Sequence, residues 1–167
     1  MIVRYHLLAE RLRADLQMLE RVVERAESAL QRATQQIQDQ DYFLAAAALD
    51  LHGFYTGIER LLELIADELD ARRPAGSYWH RELLTQMSLA ISGVRPVVIS
   101  SATHVALMDY LEFRHVVRNV YTFNLRSGRV IGLVRGLRPT FDLVQHDLLA
   151  LAAFLDELGS SDSAEET

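Results

Sequence analysis

The stretch "LDLHGFYTGIERLLELIADELD", residues 49–70, decides the fold class of this chain. Its apolar residues recur at alternating intervals of three and four, which places them on one face of an α-helix. The stripe extends upstream into the preceding residues and contains Leu44, Ala48, Leu51, Tyr55, Ile58, Leu62, Ile65 and Leu69. The segment contains no proline, so the pattern predicts one long helix with a single buried face.

A second segment of the same kind precedes this helix. Its stripe consists of Tyr5, Ala9, Leu12, Leu16, Leu19, Val23, Ala26, Leu30, Ala33 and Ile37, and "QDQD" at 38–41 is the natural turn between the two. We therefore expect two long antiparallel helices. Sustained heptads would also suit an extended coiled coil. However, extra apolar residues widen both stripes, which favours a globular bundle; they are Leu7, Val22, Phe43, Phe54 and Leu61.

Proline and glycine divide the rest of the chain. Pro74 and Gly76 end the second helix, and Ser77 can cap a shorter helix over 78–92. That helix should end before Gly93 and Pro96. The pattern thus places a short helix between two loops.

Two more helices are predicted downstream. Ser100 or Ser101 can cap a fourth helix that runs to about residue 123. Residues 124–139 are rich in arginine and glycine and are predicted to connect it to a last helix. Pro139 suits the first turn of that helix, and Gly159 closes it.

These patterns predict an all-α fold, an antiparallel up-and-down bundle of four main helices plus a shorter helix. Residues 1–159 are predicted to form this single domain. Residues 160–167, "SSDSAEET", are too polar and acidic to pack, so composition predicts a disordered tail.

Composition excludes several kinds of chemistry. The chain has no cysteine, and all 17 basic residues are arginine, which removes thiol, P-loop and Schiff-base mechanisms. No histidine pair has the spacing of metal ligands, so we expect neither a metal nor a cofactor. The sequence shows no membrane span or signal peptide, which predicts a cytoplasmic protein.

Charge is distributed unevenly along the chain. The net charge is −6, yet residues 101–140 contain six arginines against only Asp109 and Glu112 and are therefore +4. Such a window is compatible with a small phosphate site on an acidic protein.

The fourth helix contains the most polar short segment, "FRHVVRNVY" at 113–121. Helical spacing groups Arg114, Arg118 and Tyr121 on one side, with His115 and Asn119 beside them. Val105, Val116, Val120, Phe113 and Phe123 are predicted to form the core face of this helix. Leu107 and Leu111 share the polar arc, and this mixture of apolar and polar residues predicts a dimer contact.

Three separate segments resemble the HEPN superfamily, and specifically its HepT-like branch of small helical proteins. They are "LDLHGFYTGIERLLELIADELD", "YWHRELLTQM" and "YLEFRHVVRNVYTFNL", in that order along the chain. The resemblance implies a homodimeric, metal-independent endoribonuclease. It also implies the toxin role in a two-gene module whose other product is a nucleotidyltransferase-type antitoxin.

The family signature is arginine, four residues, histidine, one residue, tyrosine. Arg114 and Tyr121 match it, whereas Asn119 occupies the histidine position. The resemblance implies catalytic roles at these three positions and adenylylation of Tyr121 by the partner. Arg114 and Arg118 are the expected phosphate-binding and RNA-binding residues.

Asparagine at the histidine position weakens the predicted chemistry. RNA cleavage through the 2′-hydroxyl requires proton transfers that histidine can perform near neutral pH and asparagine cannot. His115 is the alternative titratable group, although it lies one helical turn away from Asn119. The sequence therefore predicts a weakened or lost nuclease. Two alternatives remain, a non-catalytic module that binds and regulates a nucleotidyltransferase, and a purely structural helical dimer.

Overall fold

The computed structural model describes residues 2–119 and 125–165, without the side chains of Ile2, Arg118, Asn119 and residues 162–165. Five helices follow one another: α1 (Ile2–Gln35), α2 (Gln40–Ile65), α3 (Trp79–Met87), α4 (Ser101–Asn119) and α5 (Ser127–Glu165). A 3-10 turn precedes α2, and a π-helical turn, Ala66–Asp70, extends it. Within the described ranges the only β pairing is an isolated bridge between Ile91 and Arg95. The all-α prediction is confirmed.

The helix α2 lies at the centre of the bundle. It packs along α1 and also contacts α3, α4 and α5, while α1 and α5 pack against each other. One hydrophobic core receives residues from all five helices, and its largest fully buried side chains are Tyr55, Phe54 and Phe141. Gly57 permits the close approach of α2 to α1, because a Cβ atom there would lie 2.6 Å from Leu19 Cδ2.

In the portion of the chain that the structure describes, none of the helices has both the length and the apolar character that a bilayer span requires.

The last helix begins earlier than the sequence predicts. It starts at Ser127 rather than Pro139, so the expected connection is largely helical and Pro139 lies inside α5. The buried residues continue across the proline at helical spacing, from Val130 through Leu133, Val134 and Leu137 to Phe141. Burial of this stripe outweighs the low helix propensity of glycine and proline in the segment.

The same helix also continues past Gly159 to Glu165, through residues that composition predicts to be disordered. Ser160 and Ser161 donate side-chain hydrogen bonds to the carbonyls of Asp156 and Glu157, one turn earlier. Helix extension from a docked segment needs no new nucleus, which explains why an acidic segment continues it.

The third helix is shorter than predicted and ends at Met87 instead of Ser92. The cause is Arg95, a buried arginine that the sequence reading did not single out. Its guanidinium donates to the carbonyls of Gln86 and Leu89 and pairs with Asp70, with Nε 2.6 Å from Oδ1. These bonds satisfy carbonyls that a continued helix would otherwise use.

The orientation of α4 differs from the prediction. Leu107 and Leu111 are fully buried in the core of this one chain, whereas Val105 and Val116 are 72% and 50% exposed. The grouping of Leu107, Leu111 and Arg114 on one side is correct, but that side faces α2 and α5. The two leucines therefore give no support to a dimer contact. Predicted core residues Val120 and Phe123 lie outside the described residues.

Candidate functional site

The position of α4 in the bundle is fixed at its first turn. Ser100 caps the helix, because its Oγ accepts the backbone N–H of Thr103 at 3.2 Å. Asp147 of α5 accepts both the backbone N–H of Ser100 and the hydroxyl of Thr103. This polar anchor sets the rotation of α4 and directs Arg114, near the other end, toward α2.

Arg114 meets a glutamate and a histidine from two other helices. Its Nη2 lies 3.2 Å from Oε1 of Glu59 on α2, and its Nη1 lies 3.4 Å from Nε2 of His80 on α3. The second oxygen of the same glutamate, Oε2, lies 2.5 Å from Nδ1 of His80. One carboxylate thus contacts both basic side chains, and we call Glu59, His80 and Arg114 the polar triad.

The polar triad is almost completely removed from solvent. The side chains of Glu59, His80 and Arg114 are exposed by 5%, 9% and 12%, respectively. Trp79 stacks on His80 with 3.7 Å between ring centroids, and His115 approaches the same ring edge-on at 5.4 Å. Charges buried to this degree require mutual pairing, which the shared carboxylate provides.

Two histidines beside the triad have altered acidity. Burial lowers the pKa of the His115 imidazole, and the charge of Arg114 lowers it further. Burial likewise lowers the pKa of His52 on α2, and the charge of Arg114 adds to that effect. Both imidazoles are therefore held in the neutral form near pH 7.

Three buried polar atoms in this region lack a hydrogen-bond partner among the described residues. They are Nε of Arg114, Nδ1 of His52 and Oγ1 of Thr56. His52, Thr56 and Glu59 follow one another at helical spacing on α2, so they share one side of that helix. An unsatisfied buried donor such as the Arg114 Nε–H costs about 1–3 kcal/mol unless a ligand or water accepts from it.

The structure describes only part of the predicted motif. Arg114 and His115 lie together at the polar triad. Arg118 and Asn119 belong to the backbone of α4, but their side chains lie outside the described residues, as does all of Tyr121. The predicted roles of these three residues stay predictions.

Sequence reasoning missed the other two members of the triad. His80 shows no motif spacing, and Glu59 lies outside the predicted motif. A signal for Glu59 does exist, because it lies four residues after Tyr55 and three before Leu62, in phase with the apolar stripe. A carboxylate on a core face requires a buried cationic partner.

The arginines of residues 101–140 do not form a uniform basic surface. Besides Arg114, Arg138 pairs with Glu27 and Glu20 on α1, and Arg129 lies 3.8 Å from Asp109. A groove of about 600 Å³ lies between the ends of α4 and α5 and is lined by Glu112, Phe113, Val116, Leu125, Arg126, Gly128 and Arg129. Arg126 and Arg129 thus line the groove next to the motif, together with the carboxylate of Glu112.

The described side chains do not indicate a metal site. No group of three or more histidine, aspartate or glutamate side chains is suitably placed to hold a metal ion, as far as the described residues extend. That the site works without a metal stays a prediction.

The structure is an all-α bundle in which a buried arginine of the fourth helix pairs with side chains of the second and third helices. The sequence model of the HepT-like protein family matches residues 46–155, which contain α3, α4 and most of α2 and α5. The match covers most of the chain and includes the whole polar triad. The chain belongs to the HepT-like family, of HEPN type, as its sequence motifs indicate. Neither the curated proteins nor the solved structures contain a significant match.

Proposed function

We propose that this HepT-like protein binds RNA phosphate at Arg114 and cleaves RNA weakly, without a metal. The observation that supports this proposal is the guanidinium of Arg114, which is fixed by Glu59 and His80 and whose buried Nε–H has no acceptor among the described residues. A phosphate oxygen is a strong acceptor for this donor, and arginine binds phosphate through paired N–H groups. Family membership is the second support.

The chemistry we propose is attack of the RNA 2′-hydroxyl on the adjacent phosphate. Arg114 stabilises the charge that develops on the phosphate oxygens. Asn119 stands at the motif position where the family signature has histidine, and its amide can orient a group but cannot exchange a proton. Loss of a general acid–base group lowers the rate by a factor of about 10² to 10⁴.

The functional form we propose is a homodimer. In a symmetric pair the same surface of each protomer meets about the two-fold axis, so one motif per chain becomes two facing sites. A nucleotidyltransferase-type antitoxin is the proposed partner, with Tyr121 as the site of adenylylation. A nucleotide phosphate there would place negative charge near Arg114 and Arg118 and compete with RNA.

A second candidate function is a non-catalytic module that binds and regulates a nucleotidyltransferase. One observation favours it, because Glu59 already neutralises Arg114 within the chain. In that case the polar triad has a structural role, and RNA should not displace the carboxylate of Glu59 from Arg114.

RNA binding separates the two candidates. We expect fluorescence anisotropy with a short single-stranded RNA to show salt-sensitive binding that Arg114→Ala abolishes. Arg21→Ala on α1 is the matched control, because it removes one exposed arginine of the same charge. Wild-type protein that fails to bind at low salt, or equal losses in both variants, would contradict the proposal. Light scattering that shows a monomer at micromolar concentration would contradict the homodimer.

A further inference from the structure

We propose that His80, oriented by Glu59, accepts the proton of the RNA 2′-hydroxyl in place of the missing motif histidine. The inference rests on the proposed ribonuclease function and assigns its proton-transfer step to a residue outside the family motif. It follows from the polar triad, which places an imidazole nitrogen 3.4 Å from the phosphate-binding group Arg114.

The contacts of the His80 imidazole indicate which of its two nitrogens carries the hydrogen. Nδ1 lies 2.5 Å from Oε2 of Glu59, and a carboxylate only accepts, so Nδ1 carries the hydrogen. Nε2 then presents a lone pair toward Nη1 of Arg114. A carboxylate that fixes the tautomer and orientation of a histidine is the usual arrangement for a general base.

Geometry favours His80 over His115 for this role. Nε2 of His80 lies 3.4 Å from Nη1 of Arg114, so a 2′-hydroxyl that displaces this contact lies next to the phosphate-binding guanidinium. The ring of His115 meets that of His80 edge-on, with 5.4 Å between centroids. Trp79 packs against His80, with 3.7 Å between ring centroids, and so helps to keep the imidazole in place.

The reaction is balanced without a co-reactant. Nε2 of His80 takes the proton of the 2′-hydroxyl, and the 2′-oxygen attacks phosphorus while the bond from phosphorus to the 5′-oxygen breaks. The 5′-oxygen takes a proton from water, and the imidazolium of His80 returns its proton to the hydroxide. The products are a 2′,3′-cyclic phosphate and a 5′-hydroxyl, and the dyad of Glu59 and His80 is restored. Glu59 is a positioning residue because it acts through His80.

The direct test is metal-free cleavage of a short single-stranded RNA, measured with chelator present. We expect His80→Gln to lower kcat by about 10²-fold or more while RNA affinity changes little. Glu59→Gln should also lower kcat and alter the pH–rate profile, since the neutral amide no longer sets the tautomer. His146→Gln on α5 removes an exposed histidine that is not part of the triad and should leave the rate unchanged.

A second measurement uses wild-type protein, so it does not depend on whether the His80→Gln variant folds. In wild-type protein labelled with ¹⁵N at histidine, NMR should show His80 as the Nδ1–H tautomer. Addition of an RNA with 2′-deoxy ribose, which binds but cannot be cleaved, should shift its Nε2 resonance. His80 signals that do not respond to bound RNA would overturn the inference.

The outcomes separate this inference from the function on which it rests. If wild type neither binds nor cleaves RNA, the proposed function fails. If it cleaves and folded His80→Gln cleaves as fast, only the inference fails. If wild type binds RNA but cleaves it no faster than the His80→Gln variant does, His80 is not the base. An RNA with 2′-deoxy ribose at the scissile position must stay intact.

Discussion

Glu59 and Arg114 form a buried ion pair between α2 and α4, with 3.2 Å between Oε1 and Nη2. The pair places the counter-charge of the motif arginine inside the same chain, before any RNA or partner is present. Its geometry implies that an incoming phosphate must compete with a carboxylate for Arg114, and that RNA affinity depends on Glu59 as much as on Arg114.

Glu59→Gln should therefore strengthen RNA binding even as it slows cleavage. The substitution removes the competing charge but keeps an oxygen near Arg114, and we expect affinity to rise about tenfold, or about 1.4 kcal/mol. Fluorescence anisotropy at low and high salt measures the change. Glu112→Gln is the matched control, since it removes an exposed carboxylate on α4 that pairs with Arg81. Equal gains in both variants would indicate only a change in net charge.

Asn119→His should increase metal-free RNA cleavage by about tenfold or more, because it restores a titratable group at the motif position. Single-turnover cleavage of a short RNA with chelator present provides the measurement. The gain should disappear when Arg114→Ala is added. A rate equal to that of wild type would argue that position 119 takes no part in catalysis.

Gly57→Ala should be less favourable than Gly53→Ala. A Cβ at Gly57 would lie 2.6 Å from Cδ2 of Leu19, so the end of that leucine side chain must move, at a cost of about 1 kcal/mol. Nothing lies within 4 Å of a Cβ at Gly53 in the same helix, so alanine there should add about 0.5–1 kcal/mol of stability. Urea unfolding of both variants tests the pair, and a loss at position 53 would contradict the packing.

Arg95→Ala should be strongly destabilising. Its side chain is fully buried and pairs with Asp70, which is 3% exposed, so removal leaves an unpaired buried carboxylate at a cost of about 3–5 kcal/mol. Arg81→Ala offers a contrast, because its pair with Glu112 is 3.5 Å long and more than half exposed. That loss should stay below about 1 kcal/mol. Thermal denaturation with matched buffers compares the two, and similar losses would show that burial does not matter.

Stability should fall as the pH drops below about 6.5, the ordinary pKa of histidine. Burial lowers the pKa of His52 and His115 in the folded chain, so the unfolded chain binds protons in this range that the folded chain does not. The stability that these two histidines contribute is complete above about pH 6.5 and decreases as the pH falls toward their pKa values in the folded chain. His52→Gln should flatten the pH dependence of unfolding between about pH 7 and 5. His146→Gln should leave that slope unchanged; a similar flattening would contradict the assignment.

The period of the apolar residues was sufficient to predict the helical bundle and its first two helices. The α5 boundary could not be predicted from local signals, because burial of Val134 and Leu137 outweighs Pro139. The end of α3 depends on Arg95, whose partners are distant in sequence.

The candidate site could likewise be predicted from the sequence only in part. The motif indicated Arg114 from sequence alone, because its spacing is local. His80 is 34 positions from Arg114 and 21 from Glu59, so only tertiary packing brings the three together. Which side of α4 faces inward was likewise decided by α2 and α5, and Leu107 and Leu111 became core residues rather than a contact surface.

The bonds of Arg95 also affect how α3 exchanges amide protons. They join the C-terminal end of this nine-residue helix to Asp70, at the end of the π-helical turn, while His80 lies in its first turn. A helix of this length is not stable in isolation, so α3 should open as one cooperative unit when these bonds break. In hydrogen-exchange experiments its amides should therefore lose protection together, and each opening should separate His80 from Glu59.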